Sequence, residues 1–392
     1  MGQRVAIVGG GAVGSSIAYF LASHSQFRGE VVVVERDPSY RYASSALSAS
    51  AIRQQFSTPV NIAISQFGVE FLRTLGDRLA VGDDRPDVGL SEPGYLFLAT
   101  PAGVPVIERN HAVQRAHGVD VALLTPAGIA ARFPWMNTHG LAAGSLGLSG
   151  EGWFDGYALL QAYRRKALAL GATYLAQAAA GFVRAGRRVT AVTLAAGGQV
   201  DCDWAINAAG PWAARVAAML DIDLPVRARR RCVFLFACRT TLPGCPLVID
   251  PSGVWFRADG PNFLTGVPPR PGEPDPDDAP LDEVDERLFS ERIWPVLAAR
   301  VPAFEAVKVL KSWAGYYELN IVDHNGIVGP HPSIENVMFA NGFSGHGLQQ
   351  SPAVGRGIAE LVVDGGYRTL DLSPLAFERL VAGRRLVELN VI

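Results

Sequence analysis

Apolar residues follow two rhythms along this chain. The runs "RVAIVGG" at 4–10 and "EVVVVERD" at 30–37 are β-branched and lack polar alternation, the pattern of strands buried on both faces. Between them, residues 12–25 place Val13, Ile17, Phe20 and Leu21 on one helical face. Together they predict a βαβ unit. Helical periodicity returns at 60–80 (Ile64, Phe67, Val69, Phe71, Leu72, Leu75), at 106–118 and at 155–172, where Gly171 supplies a stop. A strand, "GYLFLAT", stands inside the glycine- and proline-marked stretch 82–105. Residues 187–210 predict a hairpin around a Gly-Gly turn, then a buried strand ending at Gly210. Short strands dominate 226–268, and a proline- and acid-rich surface loop fills 268–280. A helix is expected at 282–300 with Asp282 as N-cap. "NVMFANGFSGHG" reads as a buried strand and turn, before a last helix at 352–364 begun by Pro352.

At 392 residues the chain exceeds the size one core comfortably serves. The α/β segments at 1–82, 150–225 and 316–392 alternate with strand-rich segments at 83–149 and 226–315. The expected architecture is α/β: a Rossmann-type nucleotide-binding domain assembled from three segments, plus an inserted α+β substrate domain with a mostly antiparallel sheet.

Gly9, Gly11 and Gly14 match G-x-G-x-x-G between the first strand and the first helix. The first glycine allows the tight turn, the second admits a pyrophosphate, and the third permits close strand–helix packing. The helix N-terminus offers unpaired N–H donors to phosphate. Glu35 ends the second strand, where a carboxylate can accept from a ribose diol. An acid there argues against a 2′-phosphate, but leaves NAD and FAD both open.

Composition narrows the picture. Half the chain is apolar (49%), 18% is charged and the net charge is −2, so nothing points to nucleic acid or an anionic membrane. The basic run "RARRR" at 227–231 reads as a solvated strand entry. Cys202, Cys232, Cys238 and Cys245 are too few for a disulfide scaffold and suit a reducing compartment. "CRTTLPGC" fits no common zinc spacing, so no metal is expected. With no long apolar run and no signal-peptide core, the expectation is a cytoplasmic protein without a membrane span.

Four stretches carry a resemblance. "VAIVGGGAVGSSIAYFLA" at 5–22, "SAIRQQFS" at 50–57, "INAAGPWA" at 206–213 and "GFSGHGLQQSPAVGR" at 342–356 resemble the motifs of the D-amino-acid-oxidase-like FAD-dependent oxidoreductases, in their order. The nearest branch is that of sarcosine oxidase and dimethylglycine dehydrogenase. The resemblance implies an extended FAD. Its pyrophosphate would rest on Gly9, Gly11, Ala12, Val13 and Gly14, and its adenosine ribose at Glu35 and Arg36. Ser44 or Ser45 would touch phosphate or ribitol, while Ala180, Ala209 and Gly210 would be small cofactor neighbours. Gly342, Phe343, Ser344, Gly345, His346, Gly347 and Leu348 would stand at the flavin's pyrimidine edge, where a positive helix end favours reduction.

The same resemblance implies oxidation of the C–N bond of an amino acid or a secondary or tertiary amine. A hydride passes to flavin N5 and water hydrolyses the imine. Arg53 would anchor a substrate carboxylate, and Tyr316 or Tyr317 would supply an active-site hydroxyl. Gln349 stands where sarcosine oxidase has a carboxylate-binding lysine, and Leu264 about where oxidases carry an oxygen-activating lysine. The second departure favours a dehydrogenase, with an electron-acceptor protein as a further partner. "WAGYY" has no cysteine and "ASSALSAS" no histidine, so FAD is expected to be noncovalent. Two alternatives stay open: a 2-hydroxy-acid or D-amino-acid dehydrogenase on the same scaffold, and a flavoprotein assembly factor with little catalysis.

Overall fold

The structure, a computed structural model, describes residues 2–389. The first strand, β1 (Arg4–Val8), lies between β2 (Glu30–Glu35) and Trp204–Asn207, parallel to both. Its continuous apolar run has a simple cause. Val5 and Ile7 enter one core with helix α1 (Ala12–Ser23), whereas Ala6 and Val8 enter another on the opposite face. The six-stranded sheet runs Ile327–Pro330, Val337–Asn341, Trp204–Asn207, β1, β2, Thr173–Ala176. Only its first pair is antiparallel. A three-stranded sheet covers the face of Ala6 and Val8 through Val189, Val192 and Val200. Gly197 and Gly198 of the predicted Gly-Gly turn both have positive φ, +94° and +84°.

An eight-stranded sheet forms the second layer. It draws on residues 95–147, 226–266 and 307–320 and is antiparallel except where Leu247–Ile249 joins Tyr95–Ala99. Phe234, Phe236, Phe256, Phe263 and Phe304 fill its core. The strand Val307–Asn320 pairs along its length with Val226–Cys238, so Tyr316 and Tyr317 belong to this sheet although the expected boundary fell at 316.

Several expected elements move. The last helix runs Gly347–Asp364, and Pro352 lies inside it rather than at its start. Proline cannot donate to the Leu348 carbonyl, but the Ser351 hydroxyl donates to that oxygen instead, at 2.8 Å. The expected helix at 282–300 begins only at Arg287, passes through a π-turn at Phe289–Ile293 and continues as Trp294–Arg300, and Asp282 caps nothing. Pro295 lacks the N–H that a continuous α-helix would need there. The helix at 60–80 stops at Arg73, where the Thr74 hydroxyl takes the Glu70 carbonyl, 2.7 Å. A short helix, Pro126–Arg132, went unrecognised; Thr125 caps it. Asp155 caps Gly156–Ala169 through the Ala158 N–H. Among the described residues no helix is long and apolar enough to cross a membrane.

The helices α1 and Gly347–Asp364 cross in close contact. The Ser16 hydroxyl donates to the Ser351 carbonyl at 2.7 Å, and a Cβ on Gly355 would lie 2.2 Å from Ser16 Oγ and 2.8 Å from its carbonyl carbon. Backbone cannot yield there as a side chain would. Gly355→Ala is expected to cost about 1–3 kcal/mol in denaturant unfolding, while Gly366→Ala, with open space around it, stays near wild type. Equal stability of the two variants would refute the crossing.

Candidate functional site

A cavity of about 370 Å³ opens between the two large sheets and is lined by residues of both glycine turns. In the first turn each glycine does something different. Gly9 has φ +103°, and a Cβ there would lie 2.4 Å from the Ala208 carbonyl oxygen. A Cβ on Gly14 would lie 1.9 Å from the Gly9 oxygen, so Gly14 packs turn against helix and is absent from the cavity lining. Gly11 faces the cavity, with nothing nearer its Cβ position than Ser45 Oγ at 3.6 Å. No side chain caps α1 at Gly11, and the Ala12 N–H donates to Ser45 Oγ at 3.1 Å. That leaves the Ser45 proton available to a ligand.

Glu35 accepts the Gly10 and Asp37 N–H groups at 2.7 and 2.8 Å, and burial raises its proton affinity. Beside it, the Arg36 guanidinium lies 3.6 Å from the centre of the Trp212 ring. The Ser44 hydroxyl is committed to the Tyr316 carbonyl, 2.7 Å. Ala209 and Gly210 line the cavity; Ala180 is exposed and outside the lining, where Ala178 and Ala179 stand instead.

The second turn is split by depth. Gly342, Phe343 and Ser344 are buried behind the wall, whereas Gly345, His346, Gly347 and Leu348 line it. Ser344 has φ +49°, a left-handed conformation unusual for serine. It is held there by the Asn320 N–H, which donates to its hydroxyl at 3.1 Å, and by its own N–H on the Glu318 carbonyl. A Cβ on Gly345 would lie 2.6 Å from the Tyr317 ring, so glycine lets that ring close on the turn.

Arg53 is 2% exposed and lines the cavity. Its Nη1 donates to the Gln55 carbonyl, its Nη2 lies 2.8 Å from His346 Nε2, and its guanidinium lies 4.1 Å from the Phe56 ring centre. The Arg53 N–H donates to Gln349 Oε1 at 2.8 Å, which ties this strand to the final helix. His346 therefore accepts through Nε2, and burial followed by the Arg53 charge holds its pKa well below the usual value. Tyr317 is half-buried, and desolvation of its hydroxyl raises that group's pKa. The Tyr316 hydroxyl is spent on the Ala279 carbonyl, 2.8 Å, so the expected substrate bond from Tyr316 has no free proton behind it.

The sequence reading missed Glu151. It accepts the Gln54 and Gln55 N–H groups at 2.6 and 3.0 Å and Gln55 Nε2 at 2.8 Å, and so fixes the strand that carries Arg53. Glu318, Arg231, Tyr95 and Trp255 also went unmarked and line the cavity. Leu264 is buried outside the lining; its cross-strand neighbour Arg257 donates to the Ala49 carbonyl on the wall at 2.8 Å.

The family model described as FAD dependent oxidoreductase matches residues 4–361. The chain belongs to the FAD-dependent oxidoreductase family. This oxidoreductase is 46% identical to FAD-dependent oxidoreductase domain-containing protein 1 of Xenopus laevis, over 99% of this chain and 84% of that protein. It is 25% identical to the mitochondrial dimethylglycine dehydrogenase of Mus musculus, over 94% of this chain and 43% of that protein. The solved L-proline dehydrogenase of P. horikoshii superposes with TM-score 0.85 at 25% identity, over 98% of this chain and 99% of that one. The cofactor of the family is FAD, and the wall of this oxidoreductase fits it. Gly11 leaves a cradle open, and α1 begins there with no N-cap side chain closing its first turn.

Glu151 gives this oxidoreductase a pH signature. Burial, only partly offset by its hydrogen bonds and by Arg53, raises its pKa from an ordinary 4.5 to about 7. The folded state then holds a proton that the unfolded state has released, so stability declines as pH rises through that window. Glu151→Gln keeps an acceptor for both backbone amides and removes the titration. Urea unfolding across pH 4.5–7 is expected to show wild type losing on the order of 1–3 kcal/mol more than the variant.

Proposed function

We propose that this chain oxidises the carbon–nitrogen bond of an amino acid or of a secondary or tertiary amine. The observation that carries this reading is Arg53, a buried guanidinium in the cavity wall, backed by aromatic rings and touching a neutral His346. Bound FAD supplies a hydride acceptor. Arg53 then serves to orient a carboxylate by charge, with Tyr95, Tyr317 and Trp255 excluding water around it. Its positive charge also favours the neutral amine over the ammonium form, and the neutral amine is the one able to release hydride. Tyr317 keeps its proton and acts as a donor toward the substrate. The names of relatives, among them dimethylglycine dehydrogenase, L-proline dehydrogenase and glycine oxidase, support an amino acid or amine substrate.

The pyrophosphate falls to Gly11, Ala12, Val13 and Ser45, and the adenosine ribose to Glu35 with Arg36 beside it. FAD is held without a covalent bond. Gly315 and its neighbours carry no thiol, and burial keeps the one cysteine among the lining residues, Cys232, protonated. Acid precipitation is expected to leave a yellow supernatant and a colourless pellet. Leu264 brings no cation to the wall, and Arg257 is engaged with Ala49 and Asp259, which supports a dehydrogenase over an oxidase.

The test is an anaerobic panel of sarcosine, dimethylglycine, proline, D-amino acids and hydroxy acids, read by bleaching of the flavin band. Bleaching by N-substituted amino acids supports the reading, and bleaching by hydroxy acids alone refutes it. Arg53→Met is expected to raise KM for carboxylate-bearing amines by about 10- to 100-fold, with little change for uncharged amines. Equal losses for both classes would remove Arg53 from the anchoring role. Turnover with a dye under argon that exceeds turnover with oxygen checks the dehydrogenase assignment.

A further inference from the structure

Glu318 has no part in the chemistry above, yet its carboxyl stands in the cavity wall. It lies on the strand Val307–Asn320 next to Tyr317 and is 9% exposed. The Gly342 N–H donates to its Oε2 at 3.3 Å, and the Phe343 N–H adds a second bond. Among the described residues no cation offsets this burial, and burial pushes the pKa up to about 8. Two glycines leave the carboxyl uncovered. A Cβ on Gly347 would lie 3.1 Å from Oε1, and one on Gly210 would lie 3.8 Å from Oε2. Both glycines line the cavity, one opening the final helix and the other following the strand Trp204–Asn207.

A buried carboxylate without a counter-charge is costly, whereas the protonated acid is neutral and carries an O–H donor. The protein groups hydrogen-bonded to Glu318 are both donors, so the acid's hydrogen is left for a ligand in the cavity. We propose that Glu318 is a cofactor-binding residue that acts as a neutral acid, donating a hydrogen bond to an acceptor atom of FAD between Gly210 and Gly347. The inference concerns cofactor retention alone, so it stands or falls independently of the amine substrate.

The test compares flavin retention by the holoprotein as purified, using the rise of flavin fluorescence on serial dilution. Glu318→Gln keeps both a donor and an acceptor for the turn, and its FAD dissociation constant is expected within about threefold of wild type. Glu318→Leu removes the donor and is expected to weaken retention by about tenfold or more. If the leucine variant fails to fold, a second measurement decides. The infrared spectrum of the wild-type holoprotein should contain a protonated carboxyl band that disappears in Glu318→Gln. The proposal is overturned if glutamine weakens retention by tenfold or more, if leucine retains FAD as wild type does, or if the carboxyl band is unchanged in Glu318→Gln.

Discussion

The close crossing of α1 with the final helix is the constraint on which the rest of this molecule depends. Ser16 and Gly355 bring the two backbones together, and the N-termini of both helices then reach one cavity, at Gly11 and at His346–Gly347. At neither end does the N-cap residue supply a side-chain cap. Two positive helix ends converging on one space repel each other mildly until something electron-rich lies between them. A long anionic cofactor meets both demands at once, with phosphates for the first end and an electron-accepting ring for the second. Small residues at the crossing are therefore a requirement of function as much as of packing.

Three titratable groups in or beside the wall are pushed toward neutrality. His346 is held neutral and Glu151 and Glu318 are raised toward neutrality, each chiefly by burial. Arg53 is the exception, and its charge is spread over aromatic faces and shared with the Gln55 carbonyl and His346. In surroundings with few mobile dipoles, a single fixed cation acts over a longer range than it would in water. This explains why Glu151 matters although it lines no part of the cavity. By fixing Gln54 and Gln55, it fixes the direction of that one cation.

The first turn was legible in the sequence because strand, glycines, helix and acid are adjacent, and local order alone dictates what each does. The second turn was legible as a motif but not in depth: nothing local says that Phe343 and Ser344 lie behind the wall while Gly345 and His346 form it. That division depends on Tyr317 and Asn320, which arrive on another strand. The start of the final helix was misplaced because proline usually marks a helix start, and the Ser351 hydroxyl that makes an interior proline tolerable is a three-dimensional fact. Asp282 failed as a cap because the helix begins five residues later, at Arg287. Glu151 and Glu318 left no sequence signal. Each is a lone acid whose partners are backbone amides from distant segments.

Gln349 shows how a departure from a family pattern can be read physically. A lysine there would set a second cation beside Arg53. The glutamine oxygen instead accepts the Arg53 backbone N–H at 2.8 Å, so the position still organises the anchor without adding charge to it. Of the other lining arginines, Arg231 is already matched by Asp275 through two bonds of 2.8 and 2.9 Å, Arg215 lies 2.9 Å from Asp278, and Arg36 rests over the Trp212 ring. On the proposed reading, Arg53 is the cation that meets the substrate carboxylate. On that reading the pocket favours a ligand with one carboxylate. A second carboxylate would have to displace Asp275 from Arg231, and would gain only the difference between two similar ion pairs.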